Sequence, residues 1–188
     1  DSLWYVAKGI DNLLEWSNHS KPVWCWIETT KISEQSERKP TPAEVKSEVW
    51  MALIHGASGI GYFCHSFVEP TDPAAFLHDK EMISEIKKVN MQITELAPVL
   101  NSPSIQGYAT INSSNINIPV DILTKRVGKA YYIFSISMRP GSTTATFSIK
   151  NGKNVQVIGE DRVINIGKDK KFTDEFSDYS VHLYKITN

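Results

Sequence analysis

Two tryptophans and a glutamate recur at every second position near the end of an apolar segment. Residues 21–30 read Lys-Pro-Val-Trp-Cys-Trp-Ile-Glu-Thr-Thr, the composition of a mostly buried strand. Because successive side chains of a strand alternate between its two faces, Trp24, Trp26 and Glu28 point to the same side. Aromatic rings beside a carboxylate suit the apolar face of a sugar. Glu28 is therefore the first candidate for catalysis, and Trp26 and Trp24 are candidates for substrate binding.

A histidine is the fourth candidate, and all four residues also have a structural interpretation. His65 ends a second apolar segment at residues 59–65, where its imidazole could hydrogen-bond a sugar hydroxyl or a loop carbonyl. Glu28 could be a solvated carboxylate where a strand meets a loop, because charged residues are mostly exposed. The tryptophans could pack in the interior of a barrel, and for Trp24 we favour that interpretation.

The segment between the two strands predicts a helix. Thr41-Pro42-Ala43-Glu44 combines a capping hydroxyl, a proline at the first helical position and a glutamate that can bond back to the cap; Gly56 ends the helix. Its apolar residues are three or four apart and should face a sheet, whereas most polar ones should face water. The first group is Val45, Val49, Trp50, Leu53 and Ile54, and the second is Glu44, Lys46, Ser47 and Glu48.

This order of elements predicts where the candidate residues meet. A strand, helix, strand crossover of this length requires parallel strands, nearly always with a right-handed connection. In parallel α/β folds the ligand lies at the carboxyl ends of the strands. Glu28 and His65 both lie at such ends, so we expect them at one edge of the sheet.

Two polar loops should form a rim around that edge. Residues 31–39 follow the first strand and residues 66–78 follow the second. The second loop carries Glu69 and Asp72. We interpret both as solvated loop carboxylates and as weak candidates for substrate contacts.

Helices flank the strand, helix, strand segment on both sides. Residues 3–18 predict one amphipathic helix and residues 79–96 another, which Pro98 and Pro103 should end. The apolar period then changes from helical to alternating. Residues 97–103 are therefore the predicted domain boundary.

Beyond that boundary the chain predicts short antiparallel strands. Roughly seven or eight strands in about 85 residues fit a small β-sandwich. Turn residues at 127–129 and 150–153 predict tight hairpins, and those at 139–142 another reversal. Tyrosines at 108, 131, 132 and 179 fit half-buried strand packing better than a carbohydrate platform.

Composition excludes several classes of partner. The net charge of −1 comes from well-mixed charges, so we expect no nucleic acid and no membrane as partner. The two cysteines fit core packing, and no metal-ligand spacing occurs, so we expect no metal and no cofactor. The chain begins at Asp1 without a methionine, which indicates a processed or partial chain. A secreted or periplasmic location is compatible with that, and the sequence leaves localisation open.

The predicted fold is α/β plus all-β. Two parallel strands with three helices do not form a stable open sheet, because parallel strands need cover on both faces and further strands at their edges. The simplest completion makes residues 1–100 the C-terminal part of a (β/α)₈ barrel of the TIM type. Residues 101–188 then form a small antiparallel β-sandwich domain.

Several segments carry a resemblance to a known group of enzymes. They are Lys-Pro-Val-Trp-x-Trp-Ile-Glu at 21–28, Pro-Thr-Pro-Ala-Glu at 40–44, His-Gly-Ala at 55–57, Gly-Ile-Gly-Tyr-Phe at 59–63 and Leu-Ala-Pro-Val-Leu-Asn-Ser-Pro at 96–103. Together they resemble the C-terminal portion of barrel glycoside hydrolases of the β-galactosidase and cellulase clan, including the β-sandwich tail. No short motif among them indicates a particular substrate.

The resemblance implies a role for Glu28. In that clan the nucleophilic glutamate ends strand seven, which Glu28 matches, and the acid/base glutamate ends strand four, which would lie upstream of Asp1. Retaining hydrolysis needs both carboxyl groups, about 5 to 5.5 Å apart. The implied function is therefore that of a C-terminal fragment of a retaining glycoside hydrolase, inactive on its own.

The implied partners are an oligo- or polysaccharide and either the upstream part of the same barrel or another copy of the chain. Two other functions stay open. One is a non-catalytic carbohydrate-binding or interaction module, in which the β-domain carries the role. The other is a purely structural accessory tail.

Overall fold

The computed structural model describes residues 2–187, which divide into two compact units. The first unit is Ser2–Glu95 and the second begins at Leu96. The elements that begin in the first unit are α1 (Tyr5–Trp16), β1 (Trp24–Glu28), α2 (Pro42–Ile54), β2 (Gly59–Phe63), α3 (Ala75–His78) and α4 (Lys80–Leu100). The short helix α3 lies in the segment predicted as a loop.

The predicted pair of parallel strands is confirmed. β1 pairs with β2 in parallel, and the register sets Trp24 opposite Gly59, Trp26 opposite Gly61 and Glu28 opposite Phe63. Both strands are shorter than predicted. Among residues 2–187 these are the only parallel strands, and they form a two-stranded sheet rather than a closed barrel.

The helix α2 begins as its sequence predicts. The Thr41 hydroxyl accepts a hydrogen bond from the Glu44 backbone N–H at 3.2 Å, and the Glu44 carboxylate accepts one from the Thr41 N–H at 2.7 Å. Together these bonds satisfy two amides that the first helical turn leaves unpaired. The local sequence alone therefore determines the start of this helix.

The prediction for the polar face of α2 is partly wrong. Ser47 is buried and donates a hydrogen bond to the Ala43 carbonyl, and Glu48 is half-buried. The reason is that α2 packs against α1 as well as against the sheet, so two of its sides are covered. A single apolar stripe does not describe a helix with two packing surfaces.

The helix α4 continues through Pro98 to Leu100, contrary to the prediction that this proline ends it. A proline near the end of a helix removes one backbone hydrogen bond, and the buried neighbours Leu96 and Val99 hold the last turn in place.

No helix within residues 2–187 is both long and apolar enough to cross a membrane.

The second unit is an antiparallel β-structure, as predicted. Its strands are β3 (Ala109–Ser113), β4 (Val120–Val127), β5 (Ala130–Ser137), β6 (Thr143–Ile149), β7 (Asn154–Val157), β8 (Arg162–Asn165), β9 (Lys171–Phe176) and β10 (Val181–Thr187). They form a five-stranded sheet in the order β4-β5-β10-β7-β8 and a three-stranded sheet in the order β3-β6-β9. Side chains from both sheets share one core, including Phe147, Phe172 and Tyr184.

One of the two predicted hairpins is confirmed and the other is wrong. Residues 127–129 join β4 to its neighbour β5. Residues 150–153 instead join β6 to β7, which belong to different sheets. Gly152 makes this crossing possible, since its φ of 143° is a conformation that other residues rarely adopt.

Candidate active site

The first sheet is covered by helices on one face only. Ile27 of β1 packs in a cluster with residues of α2 and α4, and Cys25 and Ile60 lie against that cluster. The opposite face of β1 carries Trp24 and Trp26, which are 64% and 67% exposed. The alternation predicted from the sequence is therefore confirmed.

Glycines of β2 let the two indole rings lie flat on the sheet. A methyl group added to Gly59 would come within 2.7 Å of ring carbons of Trp24, and one added to Gly61 would come within 2.7 Å of the Trp26 ring. Real side chains do not approach that closely, so each ring occupies the space above a glycine. The result is a flat surface of two aromatic rings whose outer faces are open.

Glu28 lies at the carboxyl end of this surface, exposed and opposite Phe63. The helix α2 brings a second carboxylate, Glu48, near enough for their charges to interact. Burial raises the pKa of Glu48 to about 7, with smaller contributions from the charges of Glu28 and Glu44. Glu48 therefore carries a proton part of the time at neutral pH. The sequence did not indicate this, because it predicted that Glu48 faces water.

His65 lies just beyond β2, in contact with the second loop. Its ring packs against Phe67 with 4.1 Å between centroids, and Nε2 is buried without a hydrogen-bond partner among the described residues. The alternative of a bond from Nε2 to a loop carbonyl is therefore not realised in the structure.

The loops after the two strands are bonded to each other. The Thr29 hydroxyl donates to the Phe63 carbonyl at 2.8 Å, and the Thr30 hydroxyl donates to the His65 carbonyl at 2.9 Å. Farther along, Ser66 Oγ donates to the Lys31 carbonyl and the Phe67 N–H to the Ile32 carbonyl, each at 2.8 Å. The rim predicted from polarity is thus an ordered structure, and its hydroxyl groups are functional candidates that sequence reasoning missed.

Asp72 holds the second loop together. Its carboxylate accepts hydrogen bonds from the Ala74 N–H and from His78 Nδ1, each at 2.8 Å. The Ala74 N–H contributes most to lowering the pKa of Asp72, and the charges of His78 and His65 lower it further. This role differs from the solvated carboxylate predicted for it.

The described residues offer no metal site. No group of three or more His, Cys, Asp or Glu side chains within residues 2–187 could hold a metal ion. Both thiols are free, and Cys64 Sγ contacts the Pro73 carbonyl at 3.3 Å. Burial, followed by the charge of Glu48, raises the pKa of the Cys25 thiol, which makes it a poor nucleophile or ligand.

The tyrosines of the second unit are packed, as predicted. Tyr108 and Tyr179 are buried. Tyr131 stacks on Tyr108 with 3.9 Å between ring centroids, and Arg126 covers it at 5.2 Å. A stack closed on both sides leaves no open ring for a sugar.

No protein-family model and no curated protein sequence matches this chain. Solved structures do match its fold. An α-amylase from Geobacillus thermoleovorans, complexed with acarbose, is similar with a TM-score of 0.64 at 12% identity, over 99% of this chain and 47% of that chain. An Anoxybacillus α-amylase gives 0.62 at 12% identity, over 98% of this chain and 46% of that one. The maltogenic α-amylase AmyB from Thermotoga neapolitana gives 0.57 at 13% identity, over 97% and 46%.

These matches establish a likeness of fold to glycoside hydrolases. The chain spans just under half the length of each of the three. At such low identity a shared fold says nothing about which residues act.

Proposed function

We propose that this chain is the C-terminal portion of a retaining glycoside hydrolase and that Glu28 is its nucleophile. One observation carries the proposal: Glu28 stands at the carboxyl end of a parallel strand, on the same open face as two exposed tryptophans. The resemblance of residues 21–28 to strand seven of the β-galactosidase and cellulase clan supports it. The likeness of fold to α-amylases agrees with a glycoside hydrolase but leaves the clan undetermined.

We infer that the first unit is part of an incomplete barrel, and we assign residues 1–100 to that barrel. A barrel turns one face of every strand inward and covers the other face with helices. In this chain β1 and β2 have helices on one face and indole rings on the other. Both outer edges of the pair have no neighbouring strand among the described residues. We assign residues 101–188 to the β-sandwich domain that follows the barrel.

Besides the unpaired strand edges, an apolar groove is a second surface that additional polypeptide would cover. It has a volume of about 670 Å³ and lies along α3 and α4, where Phe76, Leu77 and Met91 line it. Phe76 also contacts Tyr62 of β2, with 6.3 Å between ring centroids, so the groove adjoins the sheet. We propose that the upstream part of the barrel, or a second copy of the chain, covers this groove.

The proposed reaction has two carboxyl groups in different roles. The Glu28 carboxylate attacks the anomeric carbon, while a carboxylic acid protonates the departing glycosidic oxygen; water then releases the sugar. Glu48 has a raised pKa but lies on α2, beside Cys25 on the helix-covered side of the sheet. We therefore assign the acid to a residue outside these 188 residues. Trp26, Trp24 and His65 would bind the saccharide.

The test is turnover in a protein that contains residues 1–188 within a complete barrel. Glu28→Gln keeps the shape of the side chain but removes the attacking oxygen, so turnover of aryl glycosides should fall by several orders of magnitude while binding persists. Glu34→Gln is the matched control, because Glu34 is an exposed glutamate of the following loop. If Glu28→Gln stays within about tenfold of wild type, a change of only ~1.4 kcal/mol, Glu28 is not the nucleophile.

The second candidate is a non-catalytic carbohydrate-binding module in which the indole rings of the first unit carry the role, and not the β-domain as the sequence suggested. The observation that favours it is the open pair of indole rings, which would bind the apolar face of a sugar whether or not Glu28 reacts. Under this alternative, Trp26→Ala abolishes binding of oligosaccharides and Glu28→Gln leaves every measured activity unchanged. Turnover of Glu28→Gln in the protein with a complete barrel separates the two functions, because calorimetric titration should give the same result for both variants in either case.

A further inference from the structure

We propose that Thr29 and Thr30 are positioning residues, whose hydroxyl groups fix the strand end that carries Glu28 against the segment that carries His65. The inference rests on the proposed function, since it concerns the same candidate site. It goes beyond that function by naming the groups that hold the two side chains in register. Neither threonine is proposed to touch substrate.

The hydrogen bonds of the two threonine hydroxyl groups begin where the backbone pairing of β1 with β2 ends. Glu28 and Phe63 are the last residues paired in the sheet. Directly afterwards the Thr29 hydroxyl donates to the Phe63 carbonyl at 2.8 Å. The Thr30 hydroxyl continues with the His65 carbonyl at 2.9 Å. Side-chain donors thus extend the contact between the two strands by two more residues after the chains diverge.

Burial gives these bonds their importance. Thr29 is 1% exposed and Thr30 is 7% exposed, so both hydroxyl groups are shielded from water and depend on these carbonyls as acceptors. A carbonyl that loses its donor in such a place has been taken out of water without a hydrogen bond in return. The hydroxyl groups therefore hold the strand ends together because the alternative is an unsatisfied buried group.

The hydrogen bonds between the two loops also position the imidazole of His65. The residues after His65 are tied to the first loop in the opposite direction, by the Ser66 hydroxyl to Lys31 and by the Phe67 N–H to Ile32. The Phe67 ring in turn packs on the imidazole. The backbone of His65 is thus held by Thr30 on one side, and its ring is held by Phe67 on the other. A shift of either loop would move the buried Nε2 relative to Glu28.

The test compares valine with serine at each threonine in the 188-residue chain, at one concentration at which light scattering gives the same particle size for every variant. Valine keeps the shape and removes the hydroxyl, whereas serine keeps the hydroxyl and removes a methyl group. The readout is the imidazole signal of His65 in ¹H–¹⁵N spectra, assigned through its loss in His65→Gln. Thr110→Val, at an exposed position of β3, is the control for a valine elsewhere in the chain.

We expect Thr30→Val to move the His65 signal by more than its linewidth, Thr29→Val to move it less, and both serine variants to leave it in place. An unchanged His65 signal in folded Thr30→Val overturns the proposal, and so does a serine variant that moves the signal as far as valine does. If Thr30→Val does not fold, Ser66→Ala takes its place, since it removes one bond of the same rim. These spectra do not depend on catalysis. Their result therefore remains valid even if Glu28 is not the nucleophile.

Discussion

The indole ring of Trp26 occupies the space where Gly61 would carry a side chain, with ring carbon Cε3 only 2.7 Å from the position of a β-carbon. The pairing requires a glycine on β2 directly opposite a large aromatic residue on β1. Three carbons of the ring lie within 2.9 Å of that position, and Trp26 is 67% exposed, so one face of the ring packs on Gly61 and the other is open.

We therefore expect Gly61→Ala to destabilise the chain and to tilt the Trp26 ring. The added methyl group must displace a rigid ring, and overpacking of this kind commonly costs about 1–3 kcal/mol. Urea unfolding measures the free energy of unfolding. Gly9→Ala is the control, because the space around Gly9 in α1 is open and alanine should stabilise that helix by roughly 0.5–1 kcal/mol. Equal stability of Gly61→Ala and wild type would show that the ring is free to move.

The stability of the chain should depend on the protonation of Glu48. Burial raises the pKa of this carboxyl from 4.5 to about 7 in the folded chain. The folded state therefore binds the proton more tightly than the unfolded state does. This contribution to stability is fully present below pH 4.5 and is lost as the pH rises to about 7.

Glu48→Gln should remove that dependence. At pH 8 the variant should be more stable than wild type, by up to about 3 kcal/mol for a shift of this size. At pH 4 the two should be alike. Chemical denaturation at both pH values checks this, with Glu95→Gln as the control because Glu95 is exposed on α4. A constant difference between variant and wild type across the range would contradict the assignment.

Sequence reasoning succeeded where the signal is local. The capping box at Thr41 and Glu44 determines the start of α2 within four residues, and alternation determines the shared face of Trp24, Trp26 and Glu28. Each of these follows from bond geometry between near neighbours. Five consecutive residues are therefore enough to place the two indole rings and the carboxylate on one side of β1.

The missed features depend on which distant segments meet. Trp26 and Gly61 are matched by the register of two strands, and Thr30 finds its acceptor 35 residues away in sequence. The helical period of α2 did not reveal that α1 covers a second side of the helix, or that Glu48 is half-buried. The predicted hairpin at 150–153 failed for the same reason, since a turn signal does not say whether the chain stays in one sheet or crosses to the other.

In the second unit, one carboxylate links the two sheets. Asp174 of β9 accepts hydrogen bonds from Arg162 of β8 at 2.9 and 2.7 Å and from the Tyr184 hydroxyl of β10 at 2.8 Å. Burial, followed by the charge of Asp174, raises the pKa of Tyr184 well above its ordinary value. The hydroxyl therefore stays protonated, and remains a donor, well above neutral pH.

Tyr184→Phe should lower the free energy of unfolding by about 1–2 kcal/mol, because a hydrogen bond to a charged acceptor is lost inside the core. Thermal and urea unfolding measure the change. Tyr5→Phe, at an exposed position of α1, should have no effect. If both variants match wild type, the link between the sheets contributes nothing to stability.

The open surfaces of the first unit should make the isolated chain associate. Two strand edges without neighbours among the described residues and two exposed indole rings present a template for pairing with another chain. Light scattering should show species larger than a monomer as the concentration rises. Stable monomers at high concentration would contradict the incomplete barrel and favour a self-sufficient small fold.

We propose that the carboxylate of Glu28 attacks the anomeric carbon of a sugar. A panel of 2-deoxy-2-fluoro glycosides with a dinitrophenyl leaving group tests it in the protein with a complete barrel. The bond from the anomeric carbon to the phenol oxygen breaks, the phenolate leaves without needing a proton, and the fluorine slows release of the sugar. The covalent ester therefore accumulates on the nucleophile.

Mass spectrometry of the digested protein then locates the sugar. We expect one fluoroglycosyl group on the peptide that contains Glu28, with no label in Glu28→Gln and full labelling in Glu34→Gln. A sugar attached to any other carboxylate, or equal labelling of Glu28→Gln and wild type, would contradict it.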